Sequence, residues 1–562
     1  MKKRNFKRLL AIGFVAIFTA SLAACNASST PSGDDASKGI ETEPNVTISE
    51  EDGPLVPFKD PVTITWGIRT GATQQFLDGD TYEENRWSKK LKDELNIIVE
   101  VAFSADGSTD AFDNKMNALL AAGDLPDIIS TYDRNLVSQA YQAGYLTDLT
   151  DILDQYGTDS LKNYQKLYPA SFEGAKINDR IYGFPVLDDN FHTGIYLWIR
   201  DDWLENTGSE PPKTLEEMID LARKFTFNDP DQNDSDDTYG LMFSKAISEN
   251  LVGFLAAYGV PAQGGDGIFY RGEDGKITYS FIQPEVRDVL SIVRDLYNEG
   301  IIDPEFIVKE GPQQETDIGN GTLGMAYYRN WGTWYPWNFA FQNDNVITRP
   351  YPVPTIKGTD YKIGVSNNAG GLLNLMNSRF EHPEAFVKIL NIFNQTCFES
   401  MDPEDFQNYW ADGTANLCPL QVTIPNELYA PQIHEALAAG SDTELPAVIQ
   451  PFYQYVVDFE SGADRGDYAY GTWGQMFSRG SMAIALEDYR NDKALIENVL
   501  GAQIPEIWLE SVAVLQTIQD TAFTDIVIGN KDLDSFDAFV QDWLNNGGQK
   551  TLDELEILYP AN

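Results

Sequence analysis

Strands and helices alternate in the hydrophobic pattern of the first folded part of the chain. Val62–Trp66 alternates apolar and polar residues as a strand does, and an amphipathic helix follows around Asn85–Asn96. Ile97–Val101 predicts a second strand and Asp110–Ala122 a second helix, which a Gly-Asp-Leu-Pro-Asp break separates from the apolar pair Ile128–Ile129. This order predicts an α/β fold with largely parallel strands.

Polar and aromatic residues end or follow two of these predicted strands. Ligands of open parallel sheets lie beyond the C-terminal ends of the strands. The rule therefore nominates Trp66, Arg69, Tyr132 and Asp133 as ligand contacts.

An aromatic cluster at 327–337 follows a further short apolar segment, Leu323–Ala326, whose small residues favour a buried strand. Three tryptophans in a turn-rich sequence would expose much apolar surface unless another part of the protein or a ligand covered it. We expect Tyr328, Trp331 and Trp334 to contact a ligand. Core packing is the alternative for each of them, and Trp337 fits it.

The first 24 residues read as a secretory signal peptide rather than as structure. Five basic residues precede the apolar stretch Leu9–Ala24, whose 16 residues fall short of the roughly 20 that a spanning helix needs. The stretch ends in Leu-Ala-Ala-Cys at 22–25, which resembles the bacterial lipobox. We predict a lipid on Cys25; an ordinary signal peptide with a chance cysteine and a membrane-anchor helix are the alternatives. The polar residues from Cys25 to Pro57 predict a flexible acidic linker.

Composition bounds the partners and the number of lobes. The chain after the linker is longer than one hydrophobic core usually organises, so we expect two lobes. Removing the five basic leader residues takes the net charge from −46 to −51, which disfavours nucleic acid and anionic lipid. Aromatic residues make up 12% of the chain, many in Gly- and Asn-containing loops, and exposed rings suit sugars. Cys397 and Cys418 form either a disulfide or two free, buried thiols.

An acidic segment at 229–237 has the spacing of a calcium loop. Its oxygen-bearing residues at positions 1, 3, 5, 7 and 9 are Asp229, Asp231, Asn233, Ser235 and Asp237. Two departures weaken the match, because position 6 is Asp234 instead of Gly and position 12 is Gly240 instead of Glu. We expect either a structural calcium ion or a solvated acidic turn, and we expect no other cofactor.

Several segments, taken in order, resemble one known family. They are Gly-Asp-Leu-Pro-Asp-Ile-Ile at 123–129, Gly-Tyr-Leu-Thr-Asp-Leu-Thr at 144–150, Ile-Tyr-Gly-Phe-Pro at 181–185, Ile-Arg-Asp-Asp-Trp-Leu at 199–204, Gly-Ile-Ile-Asp-Pro-Glu at 300–305, Phe-Thr-Asp-Ile-Val-Ile-Gly at 523–529 and Trp-Leu-Asn-Asn-Gly-Gly at 543–548. With the lipobox, they resemble extracellular solute-binding protein family 1, the lipoproteins of carbohydrate ABC importers, in its LipO/LplA-like branch.

The resemblance implies a two-lobe, periplasmic-binding-protein-like α/β fold with discontinuous lobes, a hinge and an interlobe ligand cleft. We place the first part of lobe 1 at 58–185, the first part of lobe 2 at 186–360, and the remaining parts of both lobes with C-terminal helices at 361–562. Further candidate ligand contacts near the crossovers or in Gly-flanked sequence are Asp189, Asn190, Trp198, Asn367 and Trp473. Each has a structural alternative.

The resemblance also implies a function. We expect a monomeric binding protein, lipid-anchored at the extracellular face of the cell membrane, that delivers an oligosaccharide to ABC permease subunits. A surface polysaccharide-degrading enzyme and a peptide-binding or adhesive lipoprotein are the alternatives. The sequence has only three histidines and none of the common hydrolase or phosphate-loop motifs, so we expect no catalysis.

Overall fold

The computed structural model describes residues 52–561, except 71–75, 77–78, 107–110, 188–192, 266, 357–358, 368–370, 424–425, 444 and 502. Cys25 and the predicted leader therefore lie outside the described residues. The strands are β1 Val62–Thr70, β2 Ile97–Asp106, β3 Ile128–Thr131, β4 Lys176–Ile177, β5 Arg180–Ile181, β6 Gly183–Pro185, β7 Tyr196–Arg200, β8 Tyr239–Leu241, β9 Phe269–Arg271, β10 Ile277–Tyr279, β11 Leu323–Tyr328, β12 Thr348–Tyr351, β13 Ile363–Val365, β14 Leu373–Met376 and β15 Leu495–Glu497.

The helices connect these strands and form the C-terminal part. They are α1 Arg86–Leu95, α2 Ala111–Ala122, α3 Arg134–Gln142, α4 Thr150–Tyr156, α5 Asp159–Leu167, α6 Pro169–Glu173, α7 Asp201–Asn206, α8 Leu215–Phe227, α9 Ile247–Ala257, α10 Glu285–Glu299, α11 Gly311–Gly319, α12 Asn338–Asp344, α13 Glu384–Asn394, α14 Pro403–Tyr409, α15 Asn426–Ala439, α16 Gln450–Ser461, α17 Asp467–Met476, α18 Ser481–Ala483, α19 Glu506–Val527, α20 Ser535–Trp543 and α21 Gln549–Leu558. No described helix is long and apolar enough to cross a bilayer.

Local sequence explains where the early elements begin and end. The Asn85 side chain caps α1 by accepting a hydrogen bond from the Ser88 backbone N. The backbone N of Asn85 donates in turn to the Ser88 hydroxyl. Asn96 ends the helix in the left-handed conformation, at φ 57°, which Asn tolerates better than most residues. The first three strands, the first two helices and the strand after residue 322 are confirmed as predicted, with β1 and β2 each running several residues further than the pattern indicated.

The first lobe is built on a five-stranded sheet in the order β2-β1-β3-β14-β6. β1 pairs in parallel with β2 and β3, as expected, whereas β14 runs antiparallel to both β3 and β6. The carboxylate of Asp127 accepts hydrogen bonds from the backbone N and the hydroxyl of Thr65, at 2.8 and 2.7 Å. Asp127 therefore ties the start of β3 to β1.

The second lobe is built on a four-stranded sheet in the order β12-β7-β11-β8. β7 runs antiparallel to β11 and β12, while β11 and β8 are parallel, with Met325 paired to Leu241. The C-terminal ends of β8 and β11 therefore meet at one edge of this sheet. The chain is α/β, as the sequence predicted, and three two-stranded sheets, β4-β5, β9-β10 and β13-β15, accompany the two larger ones. The largely parallel pairing is found only in part, since three of the seven pairings in the two larger sheets are parallel.

Two segments connect the sheets, and described residues of the two segments are hydrogen-bonded to each other at two points. The first leaves β6 at Pro185 and the second enters β14 at Leu373. The backbone N of Val186 donates to the carbonyl of Leu372 at 2.9 Å, and the backbone N of Ser366 donates to the Thr193 hydroxyl at 2.9 Å. Paired crossovers of this kind form a two-stranded hinge. The lobe boundaries that we placed at 185 and 360 stay predictions.

A continuous core runs beneath both sheets, and a smaller core lies under α2 and α3 of the first lobe. Trp87 of α1 is fully buried, stacks on Phe393 at 5.1 Å between ring centroids, and donates its indole N–H to the carbonyl of Tyr409. Residues far apart in sequence thus complete the first lobe.

Cys397 and Cys418 are both buried and both free, so the structure contains the two thiols of the second alternative and no disulfide between them. Burial raises the pKa of each thiol. A buried thiol behaves as a small apolar side chain and reacts slowly.

A buried lysine fixes the start of the described chain to the first lobe. Lys388 of α13 is 1% exposed, and its ammonium donates to Asp52 Oδ1 at 2.8 Å and to the carbonyls of Gly53 and Val56 at 2.7 Å each. The Tyr156 hydroxyl donates to the other oxygen of Asp52 at 2.8 Å. We call this group the Lys388 clamp. It holds residues 52–56, the last part of the segment predicted as a flexible linker, against the first lobe.

Candidate functional site

At the C-terminal edge of the first sheet, an arginine and an exposed tyrosine lie together. Tyr132 directly follows β3 and is 59% exposed. The Arg69 guanidinium, near the end of β1, lies 5.8 Å from the centroid of the Tyr132 ring and 4.4 Å from that of Phe112. Arg69 Nη2 also contacts Asp113 Oδ1 at 2.6 Å. This edge therefore presents an aromatic ring beside a hydrogen-bonding ion pair.

Two other residues nominated at this edge have structural roles. The Asp133 side chain caps α3, accepting hydrogen bonds from the backbone N of Asn135 at 2.8 Å and of Leu136 at 3.2 Å. Trp66 is buried in the middle of β1, because the strand continues to Thr70 instead of ending at residue 66. The prediction that Trp66 contacts a ligand is therefore wrong for this conformation.

At the C-terminal edge of β8 and β11, two tyrosines line a cavity of about 270 Å³. The Tyr328 and Tyr335 ring centroids are 6.2 Å apart, and Trp331 meets Tyr328 edge-on at 6.4 Å. The remaining lining residues include Ser244, Lys245, Glu249, Lys309, Glu310 and Gln314. The structure thus brings Tyr328 and Trp331 together and adds polar groups from two other segments, 244–249 and 309–314.

Acidic and basic side chains around this cavity contact one another. Arg329 Nη2 lies 3.5 Å from Glu249 Oε1, and Lys245 forms an ion pair with Glu310. The Lys309 ammonium contacts Asp303 and, at 2.6 Å, Asp317. The Tyr335 hydroxyl donates to Glu315 Oε1 at 2.8 Å. Burial of the phenol and, to a smaller extent, the Glu315 carboxylate raise the pKa of Tyr335. These groups are arranged to donate and accept hydrogen bonds at the mouth of the cavity.

Trp334 is held rigidly on the other side of the same loop. Its indole N–H donates to Gln475 Oε1 at 2.9 Å. Its ring lies against Gly471 of α17, where an added Cβ would come within 2.3 Å of Trp334 Cδ2. Tyr468, which is 58% exposed, meets this ring edge-on at 5.2 Å. Trp334 is half-buried and packs on α17, so it extends the aromatic surface away from the cavity that Tyr328 lines.

Two nominated tryptophans are core residues. Trp198 is fully buried in β7 and donates its indole N–H to the carbonyl of Arg329 at 2.9 Å, so it supports the aromatic loop from below. Trp473 is buried in α17, stacked on Phe477 at 4.6 Å and covered by the Arg349 guanidinium at 4.9 Å. Neither ring has a face on which a ligand could stack, so both ligand predictions are wrong for this conformation.

Three further candidates lie at the crossovers. Asp189 and Asn190 lie outside the described residues. Asn367 is half-buried and follows Ser366, whose backbone N–H is bonded to the first crossover. Ligand contact by these residues stays a prediction.

The acidic loop turns tightly around the amide of Asn233. Its Nδ2 donates to Asp231 Oδ2 at 2.9 Å and lies 3.2 Å from Asp237 Oδ1, while Asp229 accepts from the Asn233 backbone at 3.0 Å. Asp234 takes the left-handed conformation, at φ 59°, that a calcium loop requires at position 6. Burial, and then the neighbouring Asp229 and Asp237, raise the pKa of Asp231. In this loop the Ser235 backbone N also donates to Asn233 Oδ1, at 2.7 Å.

The donors of this loop only partly fit calcium. Crowded oxygens that raise the pKa of a carboxyl favour a cation, whereas Gly240 at position 12 supplies no carboxylate. No three His, Cys, Asp or Glu side chains within the described ranges are arranged to hold a metal ion. Calcium at this loop stays a prediction.

Comparison with known proteins adds the family. The model of the bacterial extracellular solute-binding protein family matches residues 80–372, which is more than half of the chain. The chain belongs to this family. The match includes β2, β3 and the whole second sheet, together with Tyr132 and the aromatic loop.

Two proteins of Bacillus subtilis are similar in sequence to this chain. The polygalacturonan/rhamnogalacturonan-binding protein YtcQ of Bacillus subtilis strain 168 is 23% identical over 479 residues, covering 84% of this chain and 88% of YtcQ. Lipoprotein LipO of the same strain is 26% identical over 242 residues, covering 42% of this chain and 45% of LipO.

Solved structures share the fold. The structure of an HMO-binding, ABC-transporter-associated solute-binding protein of Bifidobacterium longum infantis matches 89% of this chain and 98% of its own length, with a TM-score of 0.61 and 15% identity. The fold of this chain is thus the two-lobe solute-binding fold that the sequence predicted.

Sequence reasoning missed Lys245, Glu249, Tyr335 and Tyr468. The first two follow β8, so the rule of C-terminal strand ends would have nominated them if the short strand Tyr239–Leu241 had been predicted. Tyr468 reaches Trp334 only because α17 packs on the aromatic loop, and no local pattern indicates that contact.

Proposed function

We propose that this protein captures an oligosaccharide outside the cell and delivers it to the permease of an ABC importer. One observation carries the proposal. The C-terminal edge of each sheet carries an accessible aromatic side chain beside charged hydrogen-bonding groups, Tyr132 with Arg69 and Asp113 in one lobe, and Tyr328 with Arg329 and Glu249 in the other. Aromatic faces stack on the C–H faces of sugars, while ion pairs bond the hydroxyls at the ring edge.

The mechanism is closure of the two lobes around the sugar. The paired crossovers around Val186 and Ser366 form part of the hinge, because changes in their backbone angles let the two sheets move as rigid bodies. A sugar that contacts both lobes stabilises the closed state, because it binds that state more tightly than the open one. The permease then recognises the closed form.

The name of YtcQ, a polygalacturonan/rhamnogalacturonan-binding protein, supports a carbohydrate ligand, and no catalytic step is proposed. Titration calorimetry against a panel of oligosaccharides, followed by chromatography of each mixture, tests both points. We expect binding with the sugar recovered intact. Shortened sugars would identify a degrading enzyme, and no binding to any sugar of the panel would favour a peptide-binding or adhesive role.

Single-ring variants locate the site. Tyr132→Ala and Tyr328→Ala should each weaken sugar binding about tenfold, which corresponds to about 1.4 kcal/mol, because each removes one stacking surface. Phe227→Ala is the matched control, since this ring is also exposed but ends α8 at the opposite edge of the second sheet. Equal affinities for all three variants and the parent protein would place the sugar elsewhere.

We also propose the predicted lipid anchor on Cys25 and a monomeric state, and LipO's designation as a lipoprotein supports the anchor. The Lys388 clamp then fixes the end of the linker to the first lobe. Cys25→Ala should release the protein from membranes and leave sugar affinity unchanged, as fractionation and calorimetry would measure.

A structural calcium ion at Asp229, Asp231, Asn233, Ser235 and Asp237 is proposed on the crowding of their oxygens.

A further inference from the structure

The charges at the two proposed binding edges point to one class of sugar, and this inference rests on the proposed function. At the first edge, Arg69 contacts Asp113 at 2.6 Å, and both side chains are partly exposed. Arg134 begins α3, directly after the capping Asp133, and its guanidinium Nη2 donates to the carbonyl of Gly371 at 2.5 Å. Arg69 is thus paired with a carboxylate, and Arg134 is bonded to a backbone carbonyl.

At the second edge, the carboxylates outnumber the cations. Lys245 pairs with Glu310 and Arg329 approaches Glu249 at 3.5 Å. Lys309 touches two carboxylates, those of Asp303 and Asp317. Glu315 adds a further negative charge and accepts a hydrogen bond from the neutral Tyr335 hydroxyl.

Taken together, the basic side chains described at the two edges are five and the acidic ones seven. The basic ones are Arg69, Arg134, Lys245, Lys309 and Arg329. The acidic ones are Asp113, Asp133, Glu249, Asp303, Glu310, Glu315 and Asp317. A uronate entering between these edges would meet an excess of like charge.

A uronate would also have to compete for its counter-ion. To bind Arg69 it must displace Asp113, and to bind Arg329 it must displace Glu249, so each new ion pair replaces an existing one. The displaced carboxylate then loses its partner beside the ligand's own negative charge. A neutral sugar has neither cost, because its hydroxyls can donate to the carboxylate and accept from the guanidinium of an intact pair.

We infer that the site selects neutral oligosaccharides against uronate-containing ones through these carboxylate-paired cations. In this respect the chain differs from what the name of YtcQ says of that protein, at 23% identity. Asp113 and Glu249 are the specificity-determining residues, since each holds a cation that would otherwise bind a sugar carboxylate.

The test uses the full chain and pairs of oligosaccharides that differ only in charge. An oligogalacturonate tetramer and the same tetramer after reduction of its carboxylates to primary alcohols form one pair, and acidic and reduced oligomannuronate form another, alongside the neutral panel. We expect the tightest ligand to be neutral and each reduced sugar to bind at least tenfold tighter than its acidic partner. A uronate as the tightest ligand, with affinity that falls as salt rises, would overturn the inference but keep the proposed function. Absence of binding to every sugar would overturn both.

Charge-neutralising variants provide the second arm. Asp113→Asn and Glu249→Gln each release a cation, so each should shift the acidic-to-neutral affinity ratio toward the acidic sugar by at least fivefold. Glu94→Gln is the matched control, because Glu94 also pairs with a cation, Lys90, but lies near the end of α1 at the opposite edge of the first sheet. An unchanged ratio in both site variants, with folding verified by circular dichroism, would mean that these cations do not face the ligand.

Discussion

Replacement of Lys388 by methionine tests the clamp that joins the linker to the first lobe. Methionine keeps the length and apolar body of the side chain but removes the charge and all three hydrogen bonds, to Asp52 and to the carbonyls of Gly53 and Val56. The group lost is 1% exposed, whereas the Asp52 side chain that remains is 33% exposed.

The expected loss of stability follows from these exposures. Breaking a fully buried ion pair costs about 3–5 kcal/mol, and a hydrogen bond to a charged group contributes about 1.5–3 kcal/mol. Because Asp52 can be rehydrated after the change, only part of this cost applies. We expect the free energy of unfolding to fall by about 2–4 kcal/mol.

Urea denaturation followed by tryptophan fluorescence measures this loss, and limited proteolysis shows whether the segment around Gly53 detaches first. Lys176→Met is the matched control, since that lysine forms an ion pair with Glu173 that is part of the surface and should contribute less than about 1 kcal/mol. Equal stability of the two variants would refute the proposed role of the clamp.

The clamp also predicts a dependence on pH. Burial raises the pKa of Asp52, but the hydrogen bonds from Lys388 and Tyr156 more than offset it, so the pKa in the folded protein lies below the ordinary value. A lowered pKa contributes stability that is fully present above the unfolded value, near 4, and is lost as the pH falls through the folded value. Lys388→Met should therefore reduce the acid sensitivity of unfolding, and an unchanged pH profile would contradict this assignment.

Three further outcomes are expected. Gly471→Ala should lower the free energy of unfolding by about 1–3 kcal/mol, because the new methyl group overlaps the Trp334 ring. The wavelength of tryptophan emission should change as this ring moves. An unchanged melting temperature would contradict this. In a Cys25→Ala background, the two buried thiols should react with Ellman's reagent only after denaturation, since burial raises their pKa; fast reaction in the native state would disprove it. Calcium should raise the melting temperature relative to chelator, and Asp231→Asn should reduce that rise; equal melting curves would remove the proposed calcium ion.

Much of the fold could be predicted because its early elements depend on local pattern. The alternation in Val62–Trp66 and the amphipathic periodicity before Asn96 each indicate an element that packs one face on the core. The end of β1 could not be read in the same way, since Gly67–Thr70 continues the strand through pairing with β2. That extension is why Trp66 lies in the core while Arg69 reaches the edge.

The candidate site was only partly predictable because its members meet through tertiary packing. Tyr328 ends a recognisable strand and Trp331 follows it, so their proximity could be predicted, whereas ligand contact by them stays a prediction. Trp198 and Trp473 have the same residue type and similar neighbours, yet both are buried against elements that are distant in sequence. Glu249 contributes to the site because α9 starts beside Arg329, a contact that no spacing along the chain records.

The position of β14 in the first sheet has a consequence for the order in which the protein can fold. This strand, Leu373–Met376, lies between β3 and β6 and pairs with both, although the whole second sheet is encoded before it. A chain that emerges N-terminus first would expose the unpaired edges of β3 and β6 until more than 370 residues had emerged. The lobes therefore mature together, and a fragment ending at Pro185 would lack the strand that closes its own sheet.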